Sequence, residues 1–202
     1  MKSRAITEVT RRPPQTVPGG TQMLEAAKRT RSWKSNNTAA AAKAFFARPR
    51  RVAERELLRE LCSGDPYQHR RAAEVARLVS LREPGVLAGC GDLLSEVAAA
   101  FPEAEWQARG YVLVAAAHNA ANAAQRQRLL PTIRERLRQE ERAAVRAMAL
   151  EALLVLGARD AAIRNEALEA MEDAQRSSIP AMRARAKKMM PKLRVRGPGS
   201  DG

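Results

Sequence analysis

Chemistry on a protein usually begins with a histidine, a cysteine or a carboxylate held beside a partner, and few residues of this chain qualify. His69 and His118 are the only histidines, and neither has a serine or carboxylate at a spacing that would make it a general base. Both read as helix-surface or packing residues. Cys62 and Cys90 lie 28 positions apart, with no CxxC pair and no histidine at ligand spacing, so neither a zinc site nor a disulfide framework is indicated. They are expected as small core residues. The reading is of a chain that is not an enzyme and that carries no metal and no cofactor.

What does recur is an acid six positions before an arginine: Asp65 before Arg71, Glu103 before Arg109, Glu140 before Arg146. A fourth, degraded copy has Ser177 before Arg183. The four arginines are 38, 37 and 37 residues apart, and each is followed by a small residue, Ala72, Gly110, Ala147 or Ala184. Seven positions after each arginine comes an apolar residue, Leu78, Ala116, Leu153 or Met190. A period this constant means stacked repeats rather than a closed bundle. The arginines could also be read as a row of phosphate contacts, but the paired acids favour internal ion pairs.

The elements that carry this spacing are helices. Ala, Leu, Arg, Glu and Gln dominate from about residue 50 onward, aromatics are 3% of the chain, and no strand is expected. After Pro49 the breaks at Ser63–Pro66, Glu83–Gly85, Phe101–Pro102, Asn119–Asn122, Gln139–Glu141, Gly157–Asp160 and Ser177–Pro180 leave eight helical stretches. Short connections make neighbours antiparallel, giving repeat pairs at about 51–82, 83–120, 121–158 and 159–194. The segment EERAAVRAMALEALLVLG (140–157) resembles the second helix of a HEAT repeat, and the resemblance extends over about residues 51–193. It implies an all-α, right-handed α-solenoid of about four helical hairpins. It also implies an inter-repeat ladder of Asp65, Arg71, Glu103, Arg109, Glu140, Arg146 and Arg183, ending where Ser177 replaces the acid.

Before the repeats, the run RRPPQTVPGG cannot hold a helix, so the first 20 residues are expected to be disordered. Residues 21–48 could form two short helices separated by Ser35–Thr38, the second ending before Pro49. The domain reading is a basic arm at 1–50, a solenoid at 51–194 and a disordered tail at 195–202. The net charge of +14 follows this division. Residues 1–51 hold 12 cations and 2 acids, residues 52–182 hold 17 and 19, and residues 183–202 hold 7 and 1. An electrostatic partner therefore belongs at the ends. The N-terminus lacks the apolar core of a secretory signal, no long apolar run predicts a membrane span, and a cytoplasmic location is expected. Its basic, acid-poor character also fits a transit peptide, although Glu8, Pro13 and Pro14 count against one.

Two binding surfaces are expected. As a scaffold, the chain would grip a partner protein on a concave face formed by the second helices, with Tyr111, His118, Glu151, Arg185 and Lys188 lining it. As a nucleic-acid accessory, it would contact phosphates without sequence preference through Arg29, Arg31, Trp33 and Lys34 in the arm and Lys187, Lys192, Arg194 and Arg196 at the other end. Arg134 and Arg138 could join such contacts, but Glu135, Glu140 and Glu141 around them favour a solvated mixed-charge face. Trp106 and Tyr111 read as inter-repeat packing before they read as a ligand groove. Met189-Met190-Pro191 reads as the frayed end of the last helix. The HEAT resemblance extends to DNA glycosylases, whose basic, carboxylate-bearing cleft finds no counterpart in a body of net charge −2, and to lyases acting on bilins, which carry no more weight here. Oligomeric state is not legible at this level.

Overall fold

A computed structural model describes residues 36–195 except 64, 102–104 and 141. The arm expected to be disordered and the first of the two expected short helices lie outside the described residues. Nine α-helices run through the rest: α1 Asn36–Phe46, α2 Arg50–Leu61, α3 Pro66–Arg82, α4 Gly91–Ala100, α5 Trp106–Asn119, α6 Ala123–Gln139, α7 Ala143–Gly157, α8 Ala161–Arg176 and α9 Pro180–Val195. One turn of 3-10 helix, Ala88–Cys90, precedes α4. There is no strand among the described residues, and no described helix is long and apolar enough to cross a membrane.

Side chains in the breaks start these helices by accepting from backbone N–H groups that the first turn leaves unpaired. Asp65 takes the Tyr67 N–H at 2.9 Å, Asn122 the Gln125 N–H at 2.9 Å, and Asp160 the Ala162 N–H at 3.0 Å. Pro66 and Pro180 occupy first helical positions, where a missing N–H costs nothing. After α3, Gly85 turns the chain with φ of 87°, a left-handed conformation that favours glycine. Asn36-Asn37-Thr38, expected as a break, instead forms the first turn of α1.

α2 packs on α3, α4 on α5, α6 on α7 and α8 on α9, while the second member of each pair packs on the second member of the next, α3 on α5 on α7 on α9. α1 lies against α3 in the same series, with Ala41 and Phe45 fully covered. Residues 36–46 thus dock on the first hairpin. One apolar cluster runs through the whole series from Ala41 to Met189. Met189 is buried and the helix continues through Pro191 to Val195, where fraying was expected.

The inner helices are nearly all apolar, and they are buried nearly all round. Every residue of α7 from Ala147 to Gly157 is buried, and in α5 only Tyr111 between Ala108 and Ala117 is not. The exposed charged faces belong to α2, α6 and α8, and to α9 at the end of the series.

Candidate functional site

The edge along which α3, α5, α7 and α9 begin gathers most of the residues singled out by spacing. Its best-defined unit joins two hairpins: Arg109 in α5 donates Nη2–H to Glu140 Oε2 at 2.7 Å, with both side chains only 5% exposed. The other carboxylate oxygen, Oε1, accepts the Arg142 N–H at 3.1 Å and so starts α7. Glu140 therefore serves its own helix and the arginine of the preceding hairpin. Its partner is Arg109 across the interface, 31 positions back.

The remaining positions of that series differ. Asp65 is exposed and caps α3, and its nearest use is local. Arg71 is buried with its guanidinium 4.8 Å from the Tyr67 ring centre, and its Nη1 meets no acceptor among the described residues. Glu103 lies outside the described residues. Ser177 Oγ takes the Ile179 N–H at 3.1 Å, repeating the capping geometry of Glu140, and Arg183 donates to the Ser177 carbonyl at 2.7 Å. Arg146 keeps a buried Nε that meets no acceptor among the described residues.

Polar links about one repeat apart also lace the stack at places that spacing did not reveal. Arg126 pairs with Asp160 at 3.1 Å and Arg128 with Asp92 at 2.8 Å. Arg134 holds Glu166 through two bonds of 2.8 and 2.7 Å, the mixed-charge role expected of it, with the acid coming from α8. Deeper in, Asn119 accepts the Leu87 N–H at 2.7 Å and donates to Ser80 Oγ and to the Ala115 carbonyl, both at 2.7 Å.

The five residues expected on an open concave face are dispersed. Glu151 is 2% exposed and is bonded to Arg185 at 2.6 Å, so these two join α7 to α9. That is a correction with a plain cause: α7 is enclosed by α5, α6, α8 and α9. Tyr111 is half-buried under the Arg77 guanidinium, 5.7 Å from its ring centre. Burial, then Glu74, raise its phenol above the ordinary value, while Arg77 and Arg70 pull it back. The His118 carbonyl accepts from the Gly85 N–H at 3.1 Å and from Arg159 Nη1 at 2.9 Å, tying three segments together. Lys188 is exposed on α9 beside Lys187. Of the other cations expected to meet nucleic acid, Arg29, Arg31, Lys34 and Arg196 lie outside the described residues, as does Trp33. The same holds for the side chains of Lys192 and Arg194.

Two further placements correct the sequence reading. Cys62 is exposed at the end of α2, and Cys90 is half-buried. His69 does have a carboxylate, because Glu105, in the turn before α5 within the next hairpin, places Oε1 3.4 Å from Nδ1, while the Phe101 ring meets the imidazole edge-on at 5.5 Å. Separation by 36 residues put this pair beyond any local motif.

Glu105 also borders a cleft of about 320 Å³ between the first turns of α3 and α5. Tyr67 and Trp106 supply its two rings, Arg70 a cation, Gln107 an amide, and Pro66 and Ala108 its apolar ends. The Arg142 guanidinium lies 5.8 Å from the Trp106 ring centre. A second cleft of about 320 Å³ opens further along, between α6, α7, α8 and α9, lined by the cations Arg134, Arg138 and Arg146, by Ser177 and by the acids Glu166, Glu169 and Asp173. Rings, guanidinium groups and amides at the ends of stacked helices suit the recognition of a side chain or a peptide. Compared with protein-family models, curated proteins and solved structures, the chain has no match.

Proposed function

We propose that this chain is a HEAT-like α-solenoid acting as a non-catalytic scaffold that binds a partner protein. The observation that carries the reading is the cleft formed by Tyr67, Arg70 and Trp106, three side chains of the kinds that dominate binding energy at protein interfaces, brought together from two successive hairpins. The serial packing of α3, α5, α7 and α9, and polar pairs such as Arg109–Glu140 one repeat apart, support the solenoid part. The gripping surface in this reading is the edge where the second helices begin, since α5 and α7 offer little else to solvent.

A photo-crosslinking residue placed at Gln107 in the full chain tests this against one placed at exposed Arg55 on α2. Discrete protein adducts from position 107 alone are expected. Equal labelling from both positions, or none from 107, would overturn the reading.

A nucleic-acid accessory role is favoured by one specific feature. Helix α9 contains six cations and no acid, with Arg183, Lys187 and Lys188 exposed. Binding of a nonspecific duplex that collapses between low and moderate salt, and that is lost on changing Lys187 and Lys188 to Gln, would establish it.

A further inference from the structure

We propose that the cleft between Arg146 and Ser177 binds a single glutamate or aspartate side chain, flanked by neutral or basic residues, from a partner protein. The argument starts from the one complete rung. Arg109 in the first turns of α5 meets Glu140 in the turn before α7. Moving both residues forward by 37 positions gives Arg146 and Ser177. The backbone arrangement is the same, since Ser177 starts α9 through the Ile179 N–H as Glu140 starts α7 through the Arg142 N–H. Only the side chain differs. A hydroxymethyl group is neutral and too short to do what Glu140 does for Arg109.

The space left by that difference is part of the second cleft, which Arg146 and Ser177 both line. Arg138 of α6 adds a second cation to the lining, near enough to Glu166 to act on its carboxyl, and Leu153 and Met182 add apolar surface. Arg109 and Arg146 each bury an Nε–H that meets no acceptor among the described residues, so what Glu140 adds at Arg109 is the bond to Nη2, and position 177 has no carboxylate to make that bond to Arg146. A guanidinium with a buried donor, beside a hydroxyl and apolar surface, is built for the planar oxygen pair of a carboxylate.

The acids that also line the cleft decide what surrounds that carboxylate. Glu166 is engaged by Arg134 and Asp173 by Arg176, but Glu169 also faces the cleft from α8. A run of consecutive acids would therefore be repelled. A single acid flanked by neutral or basic residues fits this lining. The scaffold reading supplies only the source of this side chain, and the two fail separately, one at Gln107 and the other at Arg146.

The test uses the full chain and the peptide RQEQRAA, residues 138–144 with Glu141 changed to Gln, with the Nε–Hε NMR signal of Arg146 as the readout. The peptide is expected to shift that signal saturably, and a version with its one glutamate also changed to glutamine is expected not to. Ser177→Glu supplies the carboxylate in cis. It should move the Arg146 signal toward that of Arg109, raise the melting temperature, and reduce peptide binding at least about tenfold, the scale of a charge-assisted hydrogen bond. No shift with the peptide, an equal shift with the glutamine version, or a Ser177→Glu signal unchanged from wild type would each overturn the proposal. Arg146→Gln, if folded, should also abolish the binding.

Discussion

Arg109 and Glu140, 31 residues apart, form a 2.7 Å ion pair with both side chains 95% covered, and the same carboxylate starts helix α7. Removing one member leaves the other charged and enclosed. Glu140→Ala should therefore lower stability by about 3–5 kcal/mol. Changing both, as in Arg109→Met with Glu140→Leu, should recover most of that because no charge is left behind. About 1 kcal/mol should stay lost with the hydrogen bond from the Arg142 N–H in the turn before α7. Chemical denaturation of the wild type and these two variants checks the order.

Asn119 shows the same economy with neutral groups. Its amide satisfies the Leu87 N–H, the Ser80 hydroxyl and the Ala115 carbonyl, and it is 1% exposed. Asn119→Ala strands the Leu87 N–H in a covered site and should cost about 2–3 kcal/mol. Ser80→Ala removes one acceptor and leaves the other two bonds, so about 1 kcal/mol is expected. Hydrogen exchange at Leu87 should accelerate in the first variant by more than in the second.

The two cysteines should differ in reactivity. Cys62 is exposed, whereas Cys90 is half-buried, and burial, then the charge of Glu54, push its thiol above the ordinary range. The thiolate is the reactive form, so Cys62 should be alkylated at least about tenfold faster near neutral pH. Mass spectrometry of a timed iodoacetamide reaction resolves the two sites. Equal rates would contradict the placement of Cys90.

The Arg134–Glu166 bond predicts a small acid limb in stability. The hydrogen bond from Arg134 holds the Glu166 carboxyl below its ordinary range, with desolvation opposing it. A group depressed on folding stabilises above its unfolded value, about 4.3, and that contribution is lost as pH falls through the lower folded value. Both side chains are well exposed, so less than about 1 kcal/mol is at stake. Arg134→Gln should narrow the stability gap to wild type as pH drops from 7 to 3, measured by urea midpoints.

Much of this was legible from local pattern. The eight helices after Pro49 follow the breaks read from Gly, Pro, Asn and Asp, because those residues act on the backbone within a turn or two. α7 was misread for a different reason. Its sequence AAVRAMALEALLVLG has one Arg and one Glu in 15 residues, an all-round apolar helix that had to be enclosed, yet Glu151 was placed on an open face by repeat analogy. The His69–Glu105 and Arg126–Asp160 pairs depend on how one hairpin sits on the next, which no local spacing encodes. Cys62 follows Leu61 out of the helix and so escapes the core that its type suggests. α1 could be read as a helix, but its docking on α3 depended on the fold.

Two glycines mark where that fold is tightest, and they should respond differently to alanine. A Cβ at Gly110 would stand 2.6 Å from the Met148 sulfur, and one at Gly157 would stand 2.6 Å from the Ala167 Cβ. Met148 has rotatable bonds and can swing its thioether aside. Ala167 has none, so α7 and α8 must move apart, dragging the Arg164 Cα, which lies only 3.4 Å from the new methyl. Alanine favours a helix by about 1 kcal/mol over glycine, which offsets part of the crowding at Gly110. Overpacking costs about 1–3 kcal/mol, and Gly157→Ala should sit at the upper end while Gly110→Ala falls near zero to 1. Adding Met148→Ala to Gly110→Ala should relieve the contact, whereas no single side-chain truncation other than Ala167→Gly should rescue Gly157→Ala. Thermal melts of these variants decide between the two kinds of contact, and a Gly157→Ala protein as stable as wild type would show that α7 and α8 are not in contact at that point.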